Sequence, residues 1–368
     1  MTDKKYRKII VRPGGGRDYP IIIGSGAIDS LRGAIGVIST RCRVLIVTDG
    51  NVAAHYLEKT EKAVRSKGTE PHSIVLRPGE KNKNFNTYKS IIEKLAELDG
   101  AGDLVVVALG GGVVGDLGGF AAASYRRGIP LIQVPTSLLA CVDSSVGGKT
   151  GFDLPAGKNL VGAFYQPRSV VIDTDMLSTL PVRELRAGMA EVIKYGFIMD
   201  EPFIRQLRKN MPALYALDSI QVSRAIERCC RLKAKVVAAD ERDTKDVRAI
   251  LNFGHTFAHA IETACGYRRY NHGEAVAIGM ACAADLSAKL GIISADDARA
   301  VEALITEAQL PVNIEVATAR RIFDLMAHDK KTRGGKIRLV LLEKTGKAVV
   351  RDAPPAGIVL GILKKRIV

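Results

Sequence analysis

The sequence predicts an α/β amino-terminal domain over residues 1–176 and a mainly α-helical carboxy-terminal domain over residues 177–368. Three observations carry this. Short β-branched runs alternate with amphipathic windows through the first half, which argues for a parallel sheet with helices over its faces. From about Leu177 the texture changes to long Ala-rich windows with helical periodicity and no proline. Finally, 368 residues with 47% hydrophobic side chains exceed what one core usually fills.

Taken in order, Lys8 to Val11, Pro20 to Ile23, Arg43 to Val47, Ser73 to Leu76, Leu104 to Leu109 and Leu131 to Val134 read as strands. Val52 to Ser66 and Thr87 to Leu98 read as helices between them. The Gly- and Pro-rich stretch from Gly147 to Pro167 reads as the seam between domains, a place where ligand sites collect. Beyond it, Ser223 to Ala238, Gly254 to Cys265 and Glu274 to Leu290 are helical windows. Ile337 to Leu342 and Lys347 to Val350 form a hairpin pattern before a last helix at Gly357 to Lys365.

Composition excludes several classes. The 54 Lys and Arg outnumber 39 Asp and Glu, giving +15, a surplus that suits an anionic partner. Aromatics are only 5% and Trp is absent, however, so stacking platforms for nucleic acid are missing, and no nucleic-acid partner is expected. No apolar run is long enough to span a membrane, and the start lacks the apolar region of a secretory signal, so a cytoplasmic protein without a membrane partner is expected. Six cysteines without a CxxC pair read as reduced core residues.

Leu104 to Leu109 leads into Gly110-Gly111-Gly112-Val113-Val114-Gly115-Asp116 and then a helical pattern. Glycines at a strand-to-helix turn let a pyrophosphate approach the helix N-terminus, and the spacing fits the dinucleotide fingerprint. The acid expected after the next strand is replaced by Gln133-Val134-Pro135, but Asp49 ends an earlier strand and offers an acceptor for a ribose diol. A tight structural turn is the competing reading.

Three of the six histidines fall within eighteen residues: His255, His259 and His272. His255 and His259, four apart, share a helix face. No Glu follows the first, so the HExxH protease pattern is excluded. Two imidazoles with one carboxylate would leave an open position, as a catalytic metal needs. Glu191, an acid on an otherwise apolar helical pattern, is the candidate third ligand, since a buried carboxylate without a cation is costly. Histidines that merely cap or bond helix ends remain the alternative. Asp143 to Thr150 and Gly157-Lys158-Asn159 place Lys149, Lys158 and an amide in glycine-rich turns suited to phosphate. A Walker loop is disfavoured there because Asp143 stands where its first glycine belongs.

Together these segments resemble the 3-dehydroquinate synthases of the sugar phosphate cyclase superfamily. The resemblance runs through Gly110 to Leu117, Tyr125 to Gly128, Gln133 to Thr136, Val142 to Thr150, Gly157 to Pro167, Glu184 to Gly196, Leu251 to His255 and His272 to Met280. In order and spacing it covers Asp49 to about Leu342. It implies a Rossmann-like nucleotide-binding domain, a helical metal-binding domain and an active site in the cleft between. The positions matching NAD contacts are Asp49, Asn51, Glu80, Lys83, Gly111, Gly112, Asp116, Thr136, Ser137 and Thr179, with Lys149 and Lys158 beside them. The metal pattern, for Zn²⁺ or Co²⁺, falls on Glu191, His255 and His272, which makes His259 a neighbour rather than a ligand. Substrate positions are Asp143, Lys149, Lys158, Asn159, Lys194, Lys233, Arg248, Asn252 and His259. Arg127 matches a residue that reaches across a homodimer interface, and Lys330 or Lys331 matches a further substrate contact.

The implied reaction turns 3-deoxy-D-arabino-heptulosonate 7-phosphate into 3-dehydroquinate and phosphate, a step of the shikimate pathway. Transient oxidation by NAD⁺ acidifies a proton, phosphate leaves, the ketone is reduced again, and ring opening with aldol closure follows. The resemblance also implies that the leaving phosphate serves as base. Departures from the pattern are mild: Ser137 and Gly118 replace a common Thr and Ala, and the segment from Asp240 to Arg248 is one residue longer. Two alternatives remain, another NAD- and metal-dependent sugar phosphate cyclase and a metal-dependent polyol dehydrogenase. Arg248, Lys149 and Lys233, cations suited to a substrate carboxylate, favour the heptulosonate.

Overall fold

The computed structural model describes residues 6–15, 17–100, 102–315, 317–327 and 337–368. The chain divides into two compact units, Met1–Pro181 with Leu217–Arg242, and Val182–Ala216 with Asp243–Val368. The first crossing lies close to the expected boundary at 176. One segment differs from that expectation: residues 217–242, read as part of the helical half, belong to the first unit.

The first unit runs β1 (Arg7–Val11), β2 (Tyr19–Gly24), α1 (Leu31–Ile38), β3 (Cys42–Asp49), α2 (Gly50–Val64), β4 (Thr69–Leu76), α3 (Phe85–Glu97), β5 (Asp103–Gly110), α4 (Gly112–Ser124) and β6 (Leu131–Pro135). A hairpin, β7 (Lys149–Leu154) and β8 (Gly157–Phe164), and the strand β9 (Ser169–Asp173) follow. The chain then leaves for α5 (Val182–Met199) and α6 (Glu201–Tyr215) of the second unit and returns as α7 (Ser219–Ala239). Seven described strands form one sheet in the order β1-β2-β9-β6-β5-β3-β4. All neighbours pair in parallel except β1 with β2.

The period-two geometry of a strand decides which side chains meet which helices. On β3 and β5, Leu45, Val47, Leu104, Val106 and Ala108 face one layer with Ile91, Leu95, Leu117 and Ala121 of α3 and α4. The intervening Val44, Ile46, Val105, Val107 and Leu109 face the other layer with Leu31, Ile35 and Val64 of α1 and α2. Both faces are covered, so the strands are apolar throughout rather than alternating.

Two sequence expectations change here. The Gly147 to Pro167 stretch is no open seam, because most of it forms the β7–β8 hairpin within the first unit. β9 was not expected either; its five buried residues complete the sheet between β2 and β6.

The second unit continues with α8 (His255–Ala264), α9 (His272–Lys289), α10 (Ala295–Glu307), α11 (Ala319–Ala327), the hairpin β10 (Arg338–Lys344) and β11 (Lys347–Asp352), and α12 (Ala356–Arg366). The helix α9 is buried from Ala275 to Ser287 on every side, as expected of a central helix that others surround. Its last buried acid, Asp285, is held by Arg366 and Lys365 of α12. The described cysteines are free thiols, buried except Cys265, which is half-buried. No helix among the described residues is long and apolar enough to cross a membrane.

Asp173, fully buried at the end of β9, accepts from Gly26 N at 2.9 Å, Asp175 N at 3.1 Å and Ile28 N at 3.4 Å, and pairs with Lys59 Nζ at 3.4 Å. Asp173→Ala strands buried donors and should cost about 3 kcal/mol in chemical denaturation. Lys59→Ala removes only a half-exposed partner and should cost less than about 1 kcal/mol; equal losses would contradict this account.

Candidate functional site

In the first unit the sheet reverses direction of growth around β3, since the chain goes from β3 to β4 on one side and then to β5 on the other. Open α/β sheets bind ligands past the carboxyl ends of strands at such a switch point. Four adjacent strands, β4, β3, β5 and β6, end in register here: Asp49 lies beside Leu76, Val47 beside Ala108, and Gly110 beside Pro135. The residues just beyond these ends are Glu80 and Lys83 after β4, Asp49 and Asn51 at β3, Gly111, Gly112 and Asp116 after β5, and Thr136 and Ser137 after β6. Thr179 follows β9 in the turn Thr174–Thr179 and shares a 2.8 Å hydroxyl contact with Tyr56.

Several of these residues are locally engaged. Asp49 caps α2, its Oδ1 accepting from Asn51 N at 2.9 Å and Val52 N at 3.2 Å. Gly111 occupies the corresponding place before α4 and supplies no side-chain cap. The first N–H groups of that helix therefore lack the partner that Asp49 gives α2, which fits an anion at a helix N-terminus. Ser137 Oγ accepts from Ala140 N at 3.2 Å, and Thr136 N donates to Gly110 O at 3.0 Å, tying the loops after β6 and β5 together.

Lys83 is buried, and its Nζ donates to Asp116 Oδ2 at 2.5 Å and Asn159 Oδ1 at 2.6 Å. Asn159 sits in the left-handed region at φ 52° on β8, its N–H held by Asp153 Oδ1 at 2.7 Å. Burial lifts the Asp116 carboxyl to about 6, against the opposing pull of the Lys83 ammonium. Asp143, in the wide helical turn Ala140–Ser144, pairs with Lys233 of α7, whose Nζ donates to Asp143 Oδ1 at 2.5 Å and to its carbonyl at 2.6 Å. Lys149 is exposed at the start of β7, and Lys158 Nζ lies 3.7 Å from Glu80 Oε1. Arg127 is exposed in the turn Tyr125–Arg127, with φ at 64°.

In the second unit Glu191, His255 and His272 bring one donor atom each to within 4.8 Å of one another. Glu191 Oε1 lies 3.4 Å from His255 Nε2 and 3.8 Å from His272 Nε2. Glu191 is 1% exposed; Lys194, one turn on, pairs with its Oε2, yet neither oxygen accepts a directed hydrogen bond. Two imidazole nitrogens aimed at a buried, under-satisfied carboxylate suit a divalent cation with coordination positions left over. The helix-face pairing of His255 with His259 does not give the cluster. His259 lies beside it, its ring 5.8 Å from that of His255 and 6.4 Å from that of His272. Arg248, buried, and Asn252 flank the entrance to α8 in the turn Val247–Asn252.

Close helix contacts set this geometry. A Cβ on Gly273, the residue after His272, would lie 2.1 Å from the carbonyl oxygen of Ala187, one turn before Glu191. A Cβ on Gly279 would lie equally close to Gly254 O, the residue before His255. Glycine thus lets α9 touch the backbones that carry the other two donors. Asn271 and Glu274 cap α9 reciprocally, and Arg183 of α5 holds Glu274 through two 2.7 Å contacts.

Sequence reading did not single out Glu262, a buried acid three residues past His259 on α8, whose Oε2 lies 3.6 Å from His272 Nδ1. The signal was present: seven residues after His255, it shares that helix face. Burial disfavours the His272 imidazolium, but the neighbouring Glu262 more than offsets this and raises its pKa. Lys330 and Lys331 lie outside the described residues.

Known proteins with these features are close at hand. The family model described as 3-dehydroquinate synthase N-terminal matches residues 73–187, and that described as 3-dehydroquinate synthase C-terminal matches residues 188–332. The 3-dehydroquinate synthase of Psychrobacter cryohalolentis is 49% identical over 341 residues, 91% of either chain. The crystal structure of 2-deoxy-scyllo-inosose synthase complexed with carbaglucose-6-phosphate, NAD⁺ and Co²⁺ matches with TM-score 0.87 and 25% identity, covering 98% of this chain and 100% of that one. So does 2-epi-5-epi-valiolone synthase of Streptomyces hygroscopicus subsp. jinggangensis 5008, with NAD⁺ and Zn²⁺ bound, at TM-score 0.87 and 25% identity over 96% and 98%.

Two outcomes are expected from this geometry. Gly273→Ala must push α9 from α5, so the metal-stripped protein should bind Zn²⁺ at least about tenfold more weakly in a chelator competition. Unchanged affinity would mean the helix contact does not set the cluster. The folded chain holds the Asp116 proton more tightly than the unfolded chain does, so its contribution to stability is complete below about pH 4 and lost as pH rises through about 6. The melting temperature of Asp116→Asn should therefore gain on that of the parent between pH 4 and pH 7; a constant difference would contradict the raised carboxyl.

Proposed function

The chain belongs to the 3-dehydroquinate synthase family, and from that premise we propose that it converts 3-deoxy-D-arabino-heptulosonate 7-phosphate to 3-dehydroquinate and inorganic phosphate. In class terms this is a carbon–oxygen lyase that eliminates phosphate. The observation that carries the reading is the Glu191, His255 and His272 cluster with its buried, under-satisfied carboxylate.

Glu191, His255 and His272 would hold the cation, and the residues past the ends of β4, β3, β5 and β6 would hold NAD⁺, its pyrophosphate on the uncapped start of α4. When bound, NAD⁺ would supply reversible hydride transfer, and Zn²⁺ or Co²⁺ would supply Lewis-acid polarisation of substrate oxygens. The chain's own groups bind and orient. Lys149, Lys158, Lys194 and Lys233 supply point charges suited to phosphate, and the planar Arg248 guanidinium suits a carboxylate. Asn159 and Asn252 offer amides for hydroxyls, His259 a ring nitrogen beside the metal cluster, and Asp143 fixes the Lys233 ammonium. Fixed charges of this kind contribute by positioning and by electrostatic stabilisation that needs no reorganisation.

A cytoplasmic homodimer belongs to the same reading. Arg127 is exposed and held in a left-handed turn, and Leu160 and Phe164 leave apolar surface on β8 of the same unit, which supports a covered face.

The decisive experiment follows phosphate release from the heptulosonate with and without NAD⁺ and a chelator. Release should require both cofactors and should be abolished in His255→Ala, which keeps near-normal NAD⁺ binding because the nucleotide residues belong to the other unit. Stoichiometric accumulation of NADH without phosphate release would overturn the proposal in favour of a polyol dehydrogenase.

A further inference from the structure

The two histidines of the metal cluster present the same nitrogen to Glu191 but are backed differently. His255 turns Nε2 toward Glu191, and its Nδ1 lies 3.1 Å from the Phe253 carbonyl oxygen. A carbonyl oxygen can only accept, so Nδ1 carries the proton and Nε2 keeps its lone pair for a metal. His272 likewise turns Nε2 toward Glu191, but a side-chain carboxylate rather than a backbone carbonyl lies near its other nitrogen. Its Nδ1 faces the Oε2 of Glu262 at 3.6 Å. Glu262 is 4% exposed, two helical turns after His255 on α8, a location where a carboxylate is costly unless opposite charge or polar groups answer it.

We propose that Glu262 is the positioning residue for His272: its carboxylate holds the proton on Nδ1, fixes the ring and adds negative charge behind the ligand, thereby setting metal affinity. The distance is an ion-pair distance, slightly longer than a directed hydrogen bond, so the effect is carried chiefly by charge and tautomer preference. One helix then performs two tasks, with His255 at its first turn offering a donor and Glu262 at its last turn backing the other. Carboxylates behind metal-bound imidazoles characteristically contribute 10- to 100-fold in affinity.

The inference rests on the metal reading above, and its test separates the two. Full-length protein stripped of metal is titrated with Zn²⁺ against a chromogenic chelator, and the ¹⁵N shifts of the His272 ring are recorded without metal. Glu262→Ala should weaken Zn²⁺ binding by about 10- to 100-fold and move His272 away from the Nδ1-protonated tautomer. Glu262→Gln keeps an acceptor oxygen without charge, so it should retain the tautomer while weakening Zn²⁺ at least about threefold. Should the Ala variant fail to fold, the isosteric Gln variant carries the test alone. Affinity within twofold of the parent in a folded Glu262 variant overturns the proposal. A parent chain that binds no Zn²⁺ overturns the metal reading itself.

Discussion

A carboxylate buried among helices, with no directed hydrogen bond on either oxygen from the described residues, is the constraint around which the second unit is arranged. Desolvating Glu191 costs several kcal/mol unless opposite charge stands nearby. The Lys194 ammonium supplies one such charge from the same helix, itself only 1% exposed. Oε1 is left facing two imidazole nitrogens, at 3.4 Å from His255 and 3.8 Å from His272. A divalent cation held by the three would answer the remaining negative charge, and its binding would then couple to folding as well as to chemistry. The glycine contacts at Gly273 and Gly279 then follow as requirements, because the three donors sit on three helices that must approach to backbone distance.

The first unit meets its functional demand differently, through register rather than burial. Parallel pairing aligns the carboxyl ends of β4, β3, β5 and β6, and each chain segment that follows contributes a short turn on the same edge of the sheet. No turn needs a long reach. The helix dipole adds direction: α2 is capped by the Asp49 carboxylate, whereas α4 begins on bare glycine. Negative charge is favoured at both starts, and only the second leaves the place open to a ligand.

The strands of the sheet were legible because fully buried parallel strands are continuous apolar runs, and β5 could hardly read otherwise. The same logic failed for β9, where Val170 to Ile172 is too short a run to stand out beside the Gly- and Pro-rich stretch before it. The β7–β8 hairpin escaped notice because its glycines, read as a seam, instead permit the strands to cross closely at Gly151 and Gly162. The periodicity of α7 announced a helix but not its allegiance. Which unit a helix joins depends on the surface it meets, here including Lys233 against Asp143, and such pairings across ninety residues leave no local trace. For the metal cluster, residue types were legible early, but choosing His272 over His259 needed the resemblance, since helix spacing alone favours the neighbour on the same face.

The net charge of +15 is also better understood by pairing than by counting. Of the acids assigned to the site, Asp116 is held by Lys83, Asp143 by Lys233, Glu191 by Lys194 and Glu80, more loosely, by Lys158. Asp49 is answered by the start of α2. The buried lysines are therefore tolerable in the folded chain without any ligand, because each brings its own counter-charge. An anionic substrate arriving near such a pair competes with, or shares, a carboxylate already in place. Replacing one of these lysines consequently does more than delete a contact, since it leaves an acid whose charge opposes the incoming anion. Much of the specificity for a highly charged sugar phosphate can reside in that balance, with the remaining surface charge steering the anion toward the protein at a distance.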